Sequence, residues 1–278
     1  DEEDHEEINI PRIIQTGGGL FEEVSDLNGI ALPAMYFDEI QGHKRDGEQV
    51  LKYMIQSTVQ EMRENRHVYL KNCVKEIADT CETPADYLYL ANVYVAIQER
   101  LYSKLKQINK TDYTWITPEI KEKCVSRLNK NLGHEFNKED ELEVEKQLVH
   151  YSNEPAHDLI DKALYPYFLN ETKFRFSGRL DLLSKTTLWE LKCTSKISQE
   201  HQMQVMIYAW LWRTIYPDSP REVRIFNLRT GERQRLDATD EELTNIVVSL
   251  LKNKYEEPEI LDNDDFLLVC REIVNKYI

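Results

Sequence analysis

Cysteine is scarce in this chain and follows no recognisable pattern. The five cysteines stand at positions 73, 81, 124, 193 and 270, and none of them forms a CxxC pair. An odd number of scattered cysteines argues against a disulfide framework, and the missing CxxC spacing argues against a zinc site or an iron–sulfur cluster. We therefore expect reduced thiols in an intracellular protein.

Long apolar runs are also missing. No stretch of about 18 apolar residues is present, so the sequence predicts no transmembrane helix. The first residues, DEEDHEEINIP, are acidic and lack the apolar segment of a signal peptide. We expect a protein of the cytoplasm or nucleus that is not secreted and has no membrane partner.

Several catalytic signatures are absent. The sequence contains neither GxxxxGK[ST] nor GxSxG, and its seven histidines form no HxH or HExxH pair. These absences argue against an ATP-hydrolysing P-loop, a nucleophile-elbow serine hydrolase and a zinc protease in this chain.

Basic residues are too few to balance the acidic ones. Thirty-five Lys and Arg face 50 Asp and Glu, a net charge of −15 that argues against loose, charge-driven binding to nucleic acid. The distribution is uneven, because residues 161–235 carry 13 bases against 8 acids. One basic segment in an acidic protein fits a site that grips phosphates locally, and it also fits chance.

The periodicity of apolar residues divides the chain into three regions. Residues 1–46 are acidic and read as a largely irregular lead-in, because the GGG at 17–19 breaks regular structure. Residues 47–133 predict helices, with Thr83 and Thr117 as N-caps, each followed by proline, and Gly133 as a C-terminal stop. Apolar residues make up 41% of the chain, enough for a real core.

After Gly133 the period changes to that of strands. Alternation predicts strands at 141–151, 173–183 and 186–194, a helix at 198–216 capped by Ser198, and two strands at 221–237 around a Thr-Gly turn. Two further helices are predicted at 239–255 and about 263–277. The order indicates an α/β core at 134–278 with an added helical N-terminal region.

Two acids and a lysine lie in the apolar strand sequence GRLDLLSKTTLWELKCTS, residues 178–195. Alternation places Glu190 and Lys192 on one face of a strand, and a hairpin would bring Asp181 close to Glu190. Two such carboxylates repel each other, and a hard cation such as Mg²⁺ relieves the repulsion and activates water for phosphodiester hydrolysis. A structural charge cluster neutralised by Arg179 and Lys192 is the alternative.

These motifs resemble the PD-(D/E)XK nuclease superfamily, in which an Asp on one strand precedes Glu/Asp-x-Lys on the next. Residues 178–181 look like the Gly-x-x-Asp of the RecB-type, exonuclease-like branch, and Gln204 and Tyr208 match its Gln-x-x-x-Tyr. The resemblance covers roughly 140–237 and leaves the N-terminal half unexplained. It implies a restriction-endonuclease-like core, a mixed central sheet flanked by helices.

The resemblance further implies a Mg²⁺- or Mn²⁺-dependent deoxyribonuclease acting on single- or double-stranded DNA. Its catalytic residues would be Asp181 and Glu190, as metal ligands, and Lys192, which would activate or position water. Residues supporting the site or the substrate would be Gln204, Tyr208, Glu145 and Arg179.

A further metal ligand is expected from upstream in this family, and several residues compete for that role. The candidates are His134, Glu99, Glu119, Glu122 and Glu135. Candidate phosphate contacts, each also explicable as a solvated charge, are Arg175, Arg179, Lys196 and Arg213.

Other functions stay open at this stage. The same fold suits a catalytically inactive nucleic-acid-binding or scaffold module, an RNA-directed nuclease, or a base for a helical protein-interaction module at 47–131. RecB-type nucleases are often fused to helicases, and the chain begins without Met. The nuclease end of a larger helicase–nuclease or replication/repair protein, with a helicase or repair partner, is therefore also expected.

Overall fold

The computed structural model of the chain describes residues 6–41, 48–61, 81–101, 103–136, 142–151, 175–256 and 263–277. The chain divides into two compact units. The first comprises Asp1–Glu139, Leu191–Ser195 and Asn227–Glu232, and the second comprises Asp140–Glu190, Lys196–Phe226 and Arg233–Ile278.

The first unit contains a short hairpin and a set of helices. The hairpin pairs β1 (Ile13–Gln15) with β2 (Phe21–Glu23). The helices are α1 (Ser25–Gln41), α2 (Val50–Glu61), α3 (Pro84–Glu99), α4 (Lys104–Gln107) and α5 (Pro118–Phe136). Helix α1 packs against α3 and α5, and α2 packs against α3.

Helix α1 corrects the prediction of a largely irregular lead-in at 1–46. Gly29 and Pro33 favour a break in the helix, and Pro33 lacks the amide that the helix interior requires. Leu32, Tyr36 and Phe37 are nevertheless fully buried. Burying each such side chain contributes about 1.5–3 kcal/mol, which together exceeds the cost of about 3 kcal/mol for an interior proline.

The starts of α3 and α5 agree with the sequence, whereas the end of α5 does not. The amide of Asp86 donates to Thr83 Oγ1 and the amide of Thr83 donates to Asp86 Oδ2, which completes a capping box at α3. The predicted stop at Gly133 is wrong, because α5 continues to Phe136. Leu132 and Glu135 are buried in its last turns, and this packing outweighs the low helix propensity of glycine.

Between residues 143 and 235, the described residues form a five-stranded sheet with the strand order β3-β4-β5-β6-β7, which belongs to the second unit except for the last residues of β5 and β6. The strands are β3 (Glu143–Tyr151), β4 (Arg175–Leu183), β5 (Thr187–Lys192), β6 (Glu222–Asn227) and β7 (Arg233–Arg235). The helices are α6 (Gln199–Ile215), α7 (Asp240–Glu256) and α8 (Asn263–Tyr277).

The sheet is mixed. The pairs β3/β4, β4/β5 and β6/β7 are antiparallel. Strands β5 and β6 run parallel, because the amide of Glu222 donates to the carbonyl of Thr186 and that of Leu228 to the carbonyl of Lys192, both across 36 positions. Helix α6 makes the crossover between them. The predicted α/β class with a mixed sheet flanked by helices is thus confirmed.

Helix α6 covers the strands that carry the predicted site. It packs on β3, β4, α7 and α8. It begins at Ser198 as predicted, where the amide of His201 donates to Ser198 Oγ and the amide of Ser198 donates to His201 Nδ1. Buried side chains of the shared core include Leu180, Leu183, Leu188, Met206, Trp210, Val223 and Ile225.

Among the residues that the structure describes, no helix combines the length and the apolar character needed to cross a bilayer.

Candidate active site

Asp181 and Glu190 are cross-strand neighbours. Leu182 of β4 lies opposite Trp189 of β5, and continuing this antiparallel register by one residue places Asp181 opposite Glu190. Side chains of directly opposed residues lie on the same face of a sheet, about 4.5–5.5 Å apart at Cβ. The hairpin predicted from the sequence therefore brings the two acids together, at the point where the paired part of β4 and β5 ends.

Glu145 of β3 adds a third acid to this position. Val144 lies opposite Leu182 and Lys146 lies opposite Leu180, so Glu145 stands opposite Asp181. We call Glu145, Asp181 and Glu190 the acid row. Glu145 has a φ of +55°, in the left-handed region that is strained for a residue with a side chain.

The face of the β3–β4 pair that is buried changes at the acid row. In a regular strand, Leu180 and Leu183 point to opposite faces. Both nevertheless belong to the core that α6 covers. The left-handed Glu145 stands opposite Asp181, between these two leucines, and we attribute the change to this irregularity.

Gly178 and Tyr208 explain why the two sequence motifs occur together. A Cβ at position 178 would lie 2.5 Å from Cε1 and 2.9 Å from Cδ1 of Tyr208, so the tyrosine ring packs directly on the glycine. One turn earlier on α6, Gln204 Nε2 donates to the Tyr208 hydroxyl at 2.8 Å. The Gly-x-x-Asp segment and the Gln-x-x-x-Tyr segment therefore meet in space.

The Tyr208 hydroxyl lies within electrostatic range of both acids. Burial raises the pKa of Tyr208 well above its usual value, and the charges of Glu190 and Asp181 raise it further. Hydrogen bonds from Gln204 and from the backbone of Arg179 offset part of this rise in the pKa. The hydroxyl stays protonated at neutral pH, next to four of the residues that the sequence singled out.

Glu190 and Lys192 lie two residues apart in β5, so their side chains project to the same side of the strand. Glu190 is only 5% exposed, and a buried carboxylate is costly unless its charge is compensated. Buried Asn227 fixes the chain beyond Lys192, because it donates to the carbonyl of Thr194 at 2.9 Å and accepts from its amide at 3.3 Å.

Arg179 contacts a residue that the sequence reasoning missed. Its Nε donates to Gln147 Oε1 at 3.2 Å, and the two residues are opposite each other in β4 and β3. Gln147 follows Glu145 by two residues in β3. Pairing that strand with the next would have identified it.

The upstream candidates lie in the first unit, whereas Asp181 and Glu190 lie in the second. The His134 side chain is 57% exposed, and its Nε2 is 3.1 Å from Oε1 of buried Glu135. The remaining candidates are Glu99, which pairs with Lys104 at 2.6 Å, Glu119, which pairs with Lys123 at 3.0 Å, and the exposed Glu122.

The chemistry of the acid row fits a hard cation better than a soft one. Within the described residues, no group of three or more His, Cys, Asp or Glu side chains has the arrangement of a metal site. The donors that Asp181 and Glu190 offer are carboxylate oxygens, which suit Mg²⁺ or Mn²⁺. Burial raises the pKa of the Cys193 thiol to about 12, so this neighbour of Lys192 remains a protonated, apolar side chain.

Comparison with known proteins leaves the family open. No protein-family model matches the chain, and no curated protein matches it. A solved structure described as "Crystal structure of SSO0001" matches at 15% identity and a TM-score of 0.30, over 74% of this chain and 86% of that one. A TM-score of this size does not establish a shared fold. The structure itself shows an α/β protein with a mixed five-stranded sheet among its described residues.

Proposed function

We propose that the chain hydrolyses phosphodiester bonds of DNA with the help of Mg²⁺ or Mn²⁺, on a core of the PD-(D/E)XK type. The register of one strand pair supports the proposal: Leu182 pairs with Trp189, and continuing that register sets Asp181 opposite Glu190, with Lys192 two residues further along β5. Like charges on opposed strands lower stability. Such a local cost is expected where function, rather than folding, selects the residues.

The acids and the lysine have complementary roles in this proposal. Asp181 and Glu190 would hold the cation, which when bound acidifies a water molecule and stabilises negative charge on phosphate oxygens. The Lys192 ammonium group can donate hydrogen bonds to the attacking water and to the phosphate, and it offsets part of the phosphate charge.

Gln204 and Tyr208 act as positioning residues. Tyr208 is kept neutral by burial and by the neighbouring acids, so its hydroxyl can donate to a carboxylate and help to hold its orientation. Gln204 fixes that hydroxyl through its own hydrogen bond. Together they form a wall of α6 beside the acids.

The experiment compares cleavage of single-stranded DNA, duplex DNA and RNA of the same sequence in EDTA, Mg²⁺ and Mn²⁺. We expect divalent-metal-dependent cleavage of DNA that falls about a hundredfold or more in Asp181→Asn, Glu190→Gln and Lys192→Ala. Glu222→Gln is the matched control, because it removes a carboxylate that is 46% exposed and pairs with Arg224 in the same sheet. It should cut like the parent.

The outcomes separate the alternatives. Unchanged cleavage by Asp181→Asn and Lys192→Ala would show that the site is misassigned. Metal-independent DNA binding with no cleavage by the parent would identify an inactive binding or scaffold module on this fold. Faster cleavage of RNA than of either DNA would make it an RNA-directed nuclease.

A further inference from the structure

The antiparallel pair of β3 and β4 has two unlike sides beyond the acid row. One side packs on α6, where the rings of Phe176 and Trp210 lie 5.2 Å apart and Gly178 contacts Tyr208. The residues that alternate with Phe176 and Gly178 in β4, and their partners in β3, project to the other side. We call that other side the hairpin track, which consists of Gln147, Val149, Tyr151, Arg175, Ser177 and Arg179.

The hairpin track is built from cross-strand pairs. Tyr151, which is 46% exposed, lies opposite the exposed Arg175 at the outer end. At the inner end, Gln147 lies opposite Arg179 and accepts its hydrogen bond. An aromatic ring beside a guanidinium group therefore stands at one end, and an ordered guanidinium group stands at the other.

The track leads to the acid row. Arg179 precedes Asp181 by two residues in β4, and Arg175 precedes it by six. At about 3.4 Å per residue, Arg175 and Arg179 are roughly 14 Å apart along the strand, and the whole path to Asp181 is roughly 20 Å long. The backbone that carries the track is therefore continuous with that of Asp181 in β4.

The charge of the track differs from that of the protein. The chain as a whole carries a net charge of −15. The six track residues include two arginines and no acid. Such a surface complements a polyanion, and its arginine, serine and glutamine side chains can donate hydrogen bonds to phosphate oxygens.

We propose that the hairpin track guides a single strand of nucleic acid to the acid row, with a base stacked on Tyr151 and phosphates contacted by Arg175 and Arg179. The inference rests on the proposed function of the acid row. Two strands about 4.8 Å apart make a narrow ribbon, and a base can stack on a tyrosine ring only when it is unpaired. Both features favour a single strand over a duplex.

The test measures binding rather than cleavage. Fluorescence anisotropy with a labelled oligothymidylate of about 12 nucleotides, in EDTA, reports affinity at several salt concentrations. Tyr151→Ala should weaken binding about 5- to 150-fold, whereas Tyr151→Phe should retain most of the affinity. Arg175→Gln should lower the slope of log affinity against log salt by about 0.7.

Arg235→Gln is the matched control. It removes the same charge from a side chain that is 61% exposed on β7, away from the track. It should leave both the affinity and the salt slope close to those of the parent. The inference is overturned if this control weakens binding as much as Arg175→Gln, if Tyr151→Phe loses as much affinity as Tyr151→Ala, or if the parent binds a duplex more tightly than the oligothymidylate.

The two proposals can fail separately. If the variants bind the oligothymidylate with the expected affinities but no metal supports cleavage, the proposal for the track is supported and the hydrolase proposal is refuted. If the parent cleaves DNA and both Tyr151→Ala and Arg175→Gln bind and cut like it, the track is refuted and the hydrolase proposal stands.

Discussion

A methyl group at position 178 tests the packing beneath the acid row. In Gly178→Ala the new Cβ would lie 2.5 Å from Cε1, 2.9 Å from Cδ1 and 3.4 Å from Cζ of Tyr208. Ordinary carbon contacts begin near 3.5 Å, so the ring must retreat by about 1 Å. The ring is partly buried against the core and its hydroxyl accepts a hydrogen bond from Gln204, and overpacking of this kind costs about 1–3 kcal/mol.

Gly178→Ala should raise the free energy of unfolding, rather than lower it, when the tyrosine ring is absent. In a Tyr208→Ala background the methyl group has room, and alanine is preferred to glycine inside a strand by about 0.5–1 kcal/mol. The coupling energy between the two positions is therefore about 1.5–4 kcal/mol. Urea unfolding of the parent, the two single variants and the double variant measures it, provided that the m-value is the same in all four proteins. An equal loss of stability from Gly178→Ala in both backgrounds would refute the contact.

Three further predictions concern stability and titration. Buried Arg127 donates hydrogen bonds to three backbone carbonyl groups, so Arg127→Met should lower the free energy of unfolding by about 2–4 kcal/mol in urea titrations. The control Lys123→Met, at an exposed position, should change it by under about 0.5 kcal/mol. Asp181→Asn should raise the unfolding free energy in EDTA by about 0.5 kcal/mol, because it removes repulsion from Glu190; a loss in urea unfolding would contradict this. Tyr208→Phe should leave unchanged the number of tyrosines that ionise below about pH 11 in a phenolate absorbance titration of the folded protein. Since the folded pKa of Tyr208 is raised, its contribution to stability is present below the unfolded pKa of about 10 and is lost as the pH rises further.

Local signals predicted the elements around the site well. Ser198 and Thr239 supply caps that depend only on neighbours in the chain, and the turn between β6 and β7 is made by Gly231 at a φ of +76°. Such features can be read from sequence because their hydrogen bonds span a few residues. Helix α1 could not be predicted from local signals. Its stability comes from burial against other helices, which Gly29 and Pro33 conceal in the sequence.

Some features of the candidate site could likewise be predicted from local sequence, whereas others depend on tertiary packing. The pairing of β4 with β5, whose continued register sets Asp181 opposite Glu190, follows from strand alternation and a short connection, so it could be predicted. The left-handed backbone of Glu145 could not, because a positive φ in a residue other than glycine is imposed by tertiary packing. The contact of Gly178 with Tyr208 also needs α6 to be placed on β4 before it can be seen.

The mixed sheet has a consequence for the order in which the site assembles. Strands β4 and β5 are joined by residues 184–186, whereas β5 and β6 pair in parallel only after α6 has crossed between them. Short hairpins close in about 1–10 μs, and non-local parallel pairing is slower. Asp181 and Glu190 should therefore become neighbours in a hydrated hairpin, where their repulsion is screened by water. Desolvation comes later, when α6 docks and Tyr208 closes over Gly178, so the docking step bears the electrostatic penalty of the site.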